Sequence, residues 1–277
     1  MPSFCKGFCR NPAAVVGLFI LLGVAVLSSI GPYFYPDSPW QMAGPPMLQP
    51  FMARALPFGT DMLGRDIAAG IVHGSRVSLF VGTASTFVAC SIGIIFGALA
   101  GFYGGVTDEA LMRVTEFFQT LPTFVLAVVL VAIFQPSLAS TIAAIAAVSW
   151  PPVARLVRSE CLSLRNREFV QAAVAIGERN TAIIITEILP NALSPIIVTA
   201  SLMVANAILI ESSISFLGLG DPSQMSWGFM IGVGRSMIRQ AWWISFFPGI
   251  AIVLTTLAIN LVGEGLNDAL HPRLGRR

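Results

Sequence analysis

The sequence predicts an all-α polytopic membrane protein with six transmembrane helices. Three observations carry this. Charged residues make up 11% of the 277 positions, against about 25% in soluble globular proteins. They are missing from whole stretches long enough to cross a bilayer, and arginines gather between those stretches. This pattern excludes a soluble enzyme of ordinary type, a disordered chain and a secreted disulfide scaffold. A net charge of +2 is too small to indicate a nucleic-acid partner, and its distribution matters more than its sum.

A spanning helix needs about 20 mostly apolar residues. Pro12 to Gly31 is uncharged and gives the first span. The run is long for a signal-peptide core, and Ile30-Gly31-Pro32-Tyr33 is a poor small-residue cleavage site, so this helix is expected to be retained. Pro32 to Arg76, rich in Pro and Gly, is expected to be an external loop with Trp40, Phe51 and Phe58 as interfacial anchors. Val77 to Thr107 gives the second span. Phe117 to Ala154 is uncharged over 38 residues, too long for one span. Proline disfavours helix in the residue before it, so Gln135-Pro136-Ser137 predicts a tight turn between spans three and four. The loop from about Arg155 to Glu187 follows, then span five (Ile188 to Ile210). A second external segment, Asp221 to Arg239 with Trp227, precedes span six (Gln240 to Gly263). The runs are continuous, not alternating as in a β-barrel. Without a repeat or low-complexity tract, the chain divides into residues 1-76, holding the first helix and external loop, and a five-helix core over 77-277.

Six spans put both termini on one side. If that side is cytoplasmic, it holds Lys6, Arg10, Arg113, Arg155, Arg158, Arg165, Arg167, Arg179, Arg273, Arg276 and Arg277. Arg54, Arg65, Arg76, Arg235 and Arg239 lie on the other. Eleven against five agrees with the positive-inside rule.

Several chemistries lack their residues. The single lysine, Lys6, follows no glycine-rich loop, whereas a Walker-type nucleotide site needs a lysine on the terminal phosphates. His73 and His271 form no H-E-x-x-H pattern, and no nucleophile with a base suggests an intramembrane protease. Cys5 and Cys9 read as reduced thiols beside a membrane, with metal binding or lipid attachment as alternatives. Cys90 and Cys161 read as packing residues.

In the loop, Glu168-Phe169-Val170-Gln171-Ala172-Ala173-Val174-Ala175-Ile176-Gly177 suits a short helix ended by glycine, and Pro190 of Ile188-Leu189-Pro190-Asn191 is expected to open the next span. Small residues at Ala172, Ala173 and Gly177 let another surface approach closely. This loop resembles the E-A-A-x-x-x-G motif of permeases in binding-protein-dependent ABC importers. Gln171 stands at the motif's glutamate, and Glu187 where an apolar residue is usual.

Phe58-Gly59-Thr60-Asp61-Met62-Leu63-Gly64-Arg65-Asp66, with Gly74-Ser75-Arg76-Val77-Ser78-Leu79, resembles a signature of the C-type permease of dipeptide, oligopeptide and nickel importers. Glu211-Ser212-Ser213-Ile214-Ser215-Phe216-Leu217-Gly218-Leu219-Gly220, completed by Ser226-Trp227-Gly228, resembles a second. Asn260-Leu261-Val262-Gly263-Glu264-Gly265-Leu266-Asn267-Asp268 and Pro272-Arg273-Leu274 resemble the family's C-terminus, where Asn267 and His271 depart from the commoner Arg and Asp.

The same residues have physical readings of their own. Asp61, Arg65 and Asp66 can form a charge cluster, with Gly59 and Gly64 permitting tight turns around Thr60. Its first reading is a brace for the loop; the alternative is an external latch near the substrate entrance or partner subunit. Glu211, with Ser215 one turn on, lies near the outer end of span five, where a buried carboxylate costs about 3 kcal/mol. Structural pairing and a place on the pathway or a subunit contact both stand. Arg113 and Glu116 can pair on one helix face, and Asn260, Glu264 and Asp268 share another. Gly93, Gly97 and Gly101 form a ridge suited to close helix packing, expected within the subunit.

The resemblance implies the type I ABC importer permease fold and half of a translocation pathway for di- or oligopeptides. It implies a second permease subunit, two ATPase subunits that use ATP and Mg, and an extracytoplasmic substrate-binding protein. It also implies the bacterial inner membrane with both termini cytoplasmic, and no cofactor or covalent chemistry on this chain. Glu168, Gln171, Ala172, Ala173, Gly177, Leu189 and Pro190 would couple to an ATPase. Nickel or metal chelates, glutathione and opines are alternative cargoes. The rival from another class is a self-sufficient secondary transporter or channel, which would show inverted repeats with broken helices.

Overall fold

Each helix begins and ends where local chemistry dictates. The computed structural model describes residues 8–9 and 11–270, and among these β-structure is limited to isolated bridges. The readings made for Cys5, Lys6, Arg10 and His271 through Arg277 lie outside the described residues. Asn11 starts α1 (Pro12–Phe34), its side chain accepting from the amides of Ala13 and Ala14. Pro32 sits inside this helix and has no N–H for the carbonyl of Ser28. Arg76 supplies the missing donors, Nε to Ser28 O at 2.6 Å and Nη2 to Ser29 O at 3.0 Å.

The next helix corrects the expected second span. α2 (Ile67–Tyr103) starts ten residues earlier than the uncharged run, capped by the Asp66 side chain on Ala68 N, and ends at Gly104 with φ +67°. Charge limits how much of a helix enters a bilayer, not how far it continues. At 1.5 Å per residue, 37 residues rise about 55 Å, well beyond a hydrocarbon core of about 30 Å. Gly74, Ser75 and Arg76 are therefore helical.

Span three is also corrected. It is a bent pair, α3 (Gly105–Thr120) and α4 (Thr123–Phe134), with 88° between them. Pro122 holds Leu121 extended at ψ 137°, as the pre-proline restriction demands. The turn at Gln135 to Ser137 forms as expected: Gln135 takes φ +67°, and Ser137 opens α5 (Leu138–Leu164) in a capping box with Ser140.

After the short α6 (Glu168–Ala175), α7 runs from Asn180 to Phe216. Pro190 does not open this span but follows a π-helical turn over Ile183–Ile188, where Leu189 N reaches back to Ile184 O. The wider turn relieves the clash a proline ring makes with the carbonyl four residues earlier. The segment after α7 folds into α8 (Trp227–Gly234), and α9 (Trp243–Leu270) completes the bundle. Five helices are individually long and apolar enough to cross a membrane, six crossings if the bent pair counts as one.

The core depends on small residues. A Cβ added at Gly93 or Gly101 would stand 2.5 Å from Val153 Cγ-bearing Cβ or Cys161 Cβ, so α2 and α5 touch along the glycine ridge. The ridge is an intrasubunit contact, as expected. α9 packs against both α1 and α7, with Gly17 facing Ala258 and Leu261, and Gly263 facing Ser201. Cys161 is fully buried and Cys90 packs against the same cluster.

Two expected membrane anchors are packing residues instead. Phe58 stacks on Phe247 at 4.3 Å, and Trp40 meets Phe229 edge-on under the Arg65 guanidinium. Only Phe51 of the three stays largely exposed. Trp227 and Trp243 are buried, donating from their ring nitrogens to Ile71 O and Thr60 O. These indoles tie α8 and the residue 35–66 loop to the helices.

Candidate functional site

Two ends of the bundle carry the predicted site residues. One end, called here the α6 end, holds the short helix between α5 and α7. Glu168 opens α6, and Gly177 follows its end at φ +79°, a conformation glycine adopts without cost. One face of α6 is committed inward: Val170 and Ala173 join Val157, Cys161, Ile183, Ile184 and Ile188 in a single core cluster. Ala173 is thus 7% exposed and does not share the outward face expected for it with Ala172 and Gly177. Its place three residues after the buried Val170 puts it on the face of α6 that packs toward α7.

The outward face carries Glu168, Gln171, Ala172, Gly177 and Pro190, with Leu189 half-buried. Gln171 donates to Arg165 O, closing the turn between α5 and α6. This face also presents Phe169, Val174 and Ile176, the last 82% exposed. In the sequence an apolar residue of a short amphipathic helix reads as core, so nothing marks these three as exposed. Nearby, Arg158 holds Asp108 through two bonds, at 2.5 and 2.6 Å, joining α5 to α3. Arg113 lies 3.9 Å from both Glu109 and Glu116, all well exposed, a geometry worth little in stability.

The opposite, loop end gathers the second set. Asp61 and Arg65 form a buried ion pair at 2.5 Å, and Asp61 also accepts from the amides of Leu63 and Arg65. Gly59 and Gly64 adopt φ +76° and +77°, with Leu48 O and Gly44 O where a Cβ would stand. Thr60 is buried and donates to Pro45 O while accepting from Leu48 N. Asp66 stands apart from the pair as the α2 cap. Burial pushes its carboxyl above the ordinary range, against the amides of Ala68 and Ala69 that pull it down.

Glu211, in the loop-end half of α7, is 3% exposed. Its Oε1 accepts from Ser215 at 2.8 Å and Ser226 at 2.7 Å, and Ser212 lies 3.4 Å from Oε2. Ser226 also caps α8, its Oγ accepting from Phe229 N, and Ser78 accepts from Trp227 N. Glu211 and Ser226 belong to one sequence signature, whose spacing does not reveal their contact. A serine before an amphipathic stretch signals a cap, but nothing in spacing aims that cap at a carboxylate fifteen residues away. On α9, Asn260, Glu264 and Asp268 share an exposed face, and Asp268 accepts from Asn11.

Comparison with known proteins bears on both ends. Residues 93–276 match the family described as binding-protein-dependent transport system inner membrane component. Residues 3–50 match the N-terminal TM domain of oligopeptide transport permease C. The chain is 39% identical to the oligopeptide transport system permease protein OppC of Haemophilus influenzae, over 97% of this chain and 87% of that one. It is 37% identical to the di/tripeptide transport system permease protein DppC of Pseudomonas aeruginosa, covering 99% and 92%. It is 41% identical to the dipeptide transport system permease protein DppC of Alkalihalophilus pseudofirmus, covering 97% and 88%. Among solved structures, a chain of the inward-facing MetNI methionine ABC transporter superposes with a TM-score of 0.60 at 18% identity, over 73% of this chain and 96% of that one. That likeness concerns the fold, which is the type I importer permease fold expected from the sequence.

Proposed function

Because the chain belongs to the binding-protein-dependent transport system inner membrane component family, we propose that it forms half of the pathway of an ATP-driven peptide importer. It pairs with a similar but distinct permease, two ATPase subunits that use ATP and Mg, and a substrate-binding protein outside. The names of its relatives favour di- and oligopeptides as cargo over metal chelates, glutathione or opines. The chain itself binds no cofactor and performs no covalent chemistry. The arginine asymmetry supports cytoplasmic termini and a cytoplasmic α6 end, with the loop end outside. The division into residues 1-76 and a core over 77-277 is kept as a functional one, the core carrying the coupling loop (about 155-187).

The observation that carries this reading is the two-sided packing of α6. Its inner face is fixed in the same cluster as α5 and α7, while its outer face leaves Ile176 and Val174 uncovered. A docked ATPase would push on that outer face, and the shared cluster would pass the displacement to the spans. Glu168, Gln171, Ala172 and Gly177 form the contact, Ala173 anchors it from within, and Leu189 and Pro190 stand where α7 receives the push. Asp61, Arg65, Gly59, Gly64 and Thr60 brace the outer loop, Asp66 caps α2, and Glu211 with Ser215 pins α8.

Gly177→Leu tests the coupling. Nothing lies within 4 Å of a Cβ at Gly177, so the substitution harms only the left-handed backbone, by about 1–2 kcal/mol, and the outward contact. The expected protein inserts and pairs with its permease partner but loses transport and most ATPase co-purification. Gly177→Asn tolerates the backbone and recovers more. Normal ATPase association and transport in Gly177→Leu would remove α6 as the coupling element.

A further inference from the structure

The bend at Pro122 sets α3 across the bundle. α4 runs back along α5, to which the capped turn at residues 135–137 joins it. α3 stands at 88° to α4, so it crosses α5 instead of following it. Two side-chain contacts report the same crossing. Asp108 holds Arg158 at 2.5 and 2.6 Å, and Gln119 accepts from Arg155 at 3.0 Å. Asp108 and Gln119 are separated by about 16 Å of α3, whereas the two arginines are separated by about 4.5 Å of α5. Those arginines follow directly on the uncharged run that ends at Ala154, and charged side chains seek the border of the hydrocarbon. The crossing therefore lies at that border, at the α6 end.

α3 has three faces. Asp108, Leu111, Thr115 and Phe118 turn inward, Phe118 onto the Trp150 ring, and Thr115 is the buried residue of the helix. A second face carries Val106, Ala110, Val114 and Phe117, all exposed, Val106 to 84% and Phe117 to 63%. A third carries Glu109, Arg113 and Glu116, also well exposed. The apolar face continues into the exposed Phe124, Val125, Val129 and Ile133 of α4. The charged face does not, since α4 has no charged residue. An apolar and a charged face side by side, on a helix lying across its neighbours, suit a boundary between oil and water.

We propose that α3 is an interfacial helix, lying in the plane of the leaflet at the α6 end. Val106, Ala110, Val114 and Phe117 dip into the lipid acyl chains, while Glu109, Arg113 and Glu116 stay in water. Two carboxylates against one guanidinium give no attraction to anionic headgroups, so the partner is the acyl-chain border itself. The bonds from Asp108 and Gln119 hold the last turns of α5 to this float, so α3 fixes the depth of the segment that leads into α6. The inference concerns the chain and its bilayer and is independent of the cargo.

The experiment uses the full chain with its co-purifying partners in nanodiscs, after replacement of the four native cysteines. Single nitroxide labels are placed at the exposed positions 106, 109, 113, 114, 116 and 117, and at 125, 129 and 133 on α4. Oxygen, which concentrates in lipid, and a water-soluble nickel chelate then report the depth of each. Labels at 106, 114 and 117 should favour oxygen and sit at one depth, within about 3 Å, or two residues of helical rise. Labels at 109, 113 and 116 should favour the chelate. On α4 the depth should change steadily, by about 12 Å from 125 to 133, which calibrates the reading. A steady change of about 16 Å from 106 to 117 would overturn the proposal and make α3 part of the crossing. Exclusion of both reagents at 106, 114 and 117 would overturn it in favour of a protein subunit on that face. Chelate access at all six α3 positions would place the helix outside the lipid and overturn it as well.

Discussion

Replacing Gly97 by alanine puts a methyl group in place of a hydrogen where α2 meets α5. The new Cβ would fall on the carbonyl oxygen of Ala154, 2.7 Å from Val157 Cβ and 2.9 Å from Arg158 N. Carbon atoms rest at about 3.5–4.0 Å, so the overlap with Val157 approaches ~1 Å. Two of the three neighbours are backbone atoms, so no rotamer change relieves the contact and α5 itself must move. Overpacking costs about 1–3 kcal/mol, and a backbone collision belongs near the upper end. Alanine returns about 1 kcal/mol of helix propensity, leaving a net loss of about 2 kcal/mol. At roughly 2–4 °C per kcal/mol for a chain of this size, the melting temperature should fall by about 4–8 °C. Gly249→Ala and Gly23→Ala are the controls, because a Cβ at either position meets nothing within 4 Å. Both should melt at or above the parent. A Gly97→Ala protein that melts with the controls would refute the claim that the glycine ridge sets the α2–α5 distance.

Arg76→Met should destabilise the docking of α1 by about 2 kcal/mol, since it strips donors from the carbonyls of Ser28 and Ser29. In a Pro32→Ala background residue 32 regains its N–H, so the same change should cost about 1 kcal/mol less. Additive melting shifts in that double-mutant cycle would show that Arg76 does not repair the proline. For orientation, single cysteines replacing Pro45 and Gln171, both exposed, are labelled in intact cells with an impermeant maleimide after the native thiols are removed. Label at position 45 alone is expected; label at 171 alone would invert the topology.

What the sequence made legible was what depends on neighbours in the chain. The glycine at 177, the turn at Pro136 and the four-residue spacing of Gly93, Gly97 and Gly101 are local signals, and each forms as read. The charge runs located every spanning region, yet misjudged where helices begin. Asp66 and Pro190 show why: a charge caps a helix that continues outside lipid, and a proline is absorbed by widening one turn. Pro122 obeys the rule that exposed Pro136, but it stands near the start of an uncharged run of 38 residues, where a break leaves the count of spans unchanged. The rest was set by distant partners. Trp40 and Phe58 look like lipid anchors until Phe229 and Phe247 arrive from far along the chain. Glu211 and Ser226 meet only because α8 folds back onto α7.

The brevity of α4 bears on how the protein is made. Twelve residues rise about 18 Å, little more than half the hydrocarbon thickness, and α3 turns away from them by 88°. A segment so short has little hold on the bilayer when it first leaves the ribosome, however apolar its side chains. Its lasting companion is α5, joined to it by the Gln135 to Ser137 turn and packed against it through Ala127, Val131, Ala144 and Ile145. That turn must therefore be translated, and α5 must arrive, before α4 can settle. The two are expected to enter the lipid as one hairpin joined by the tight capped turn.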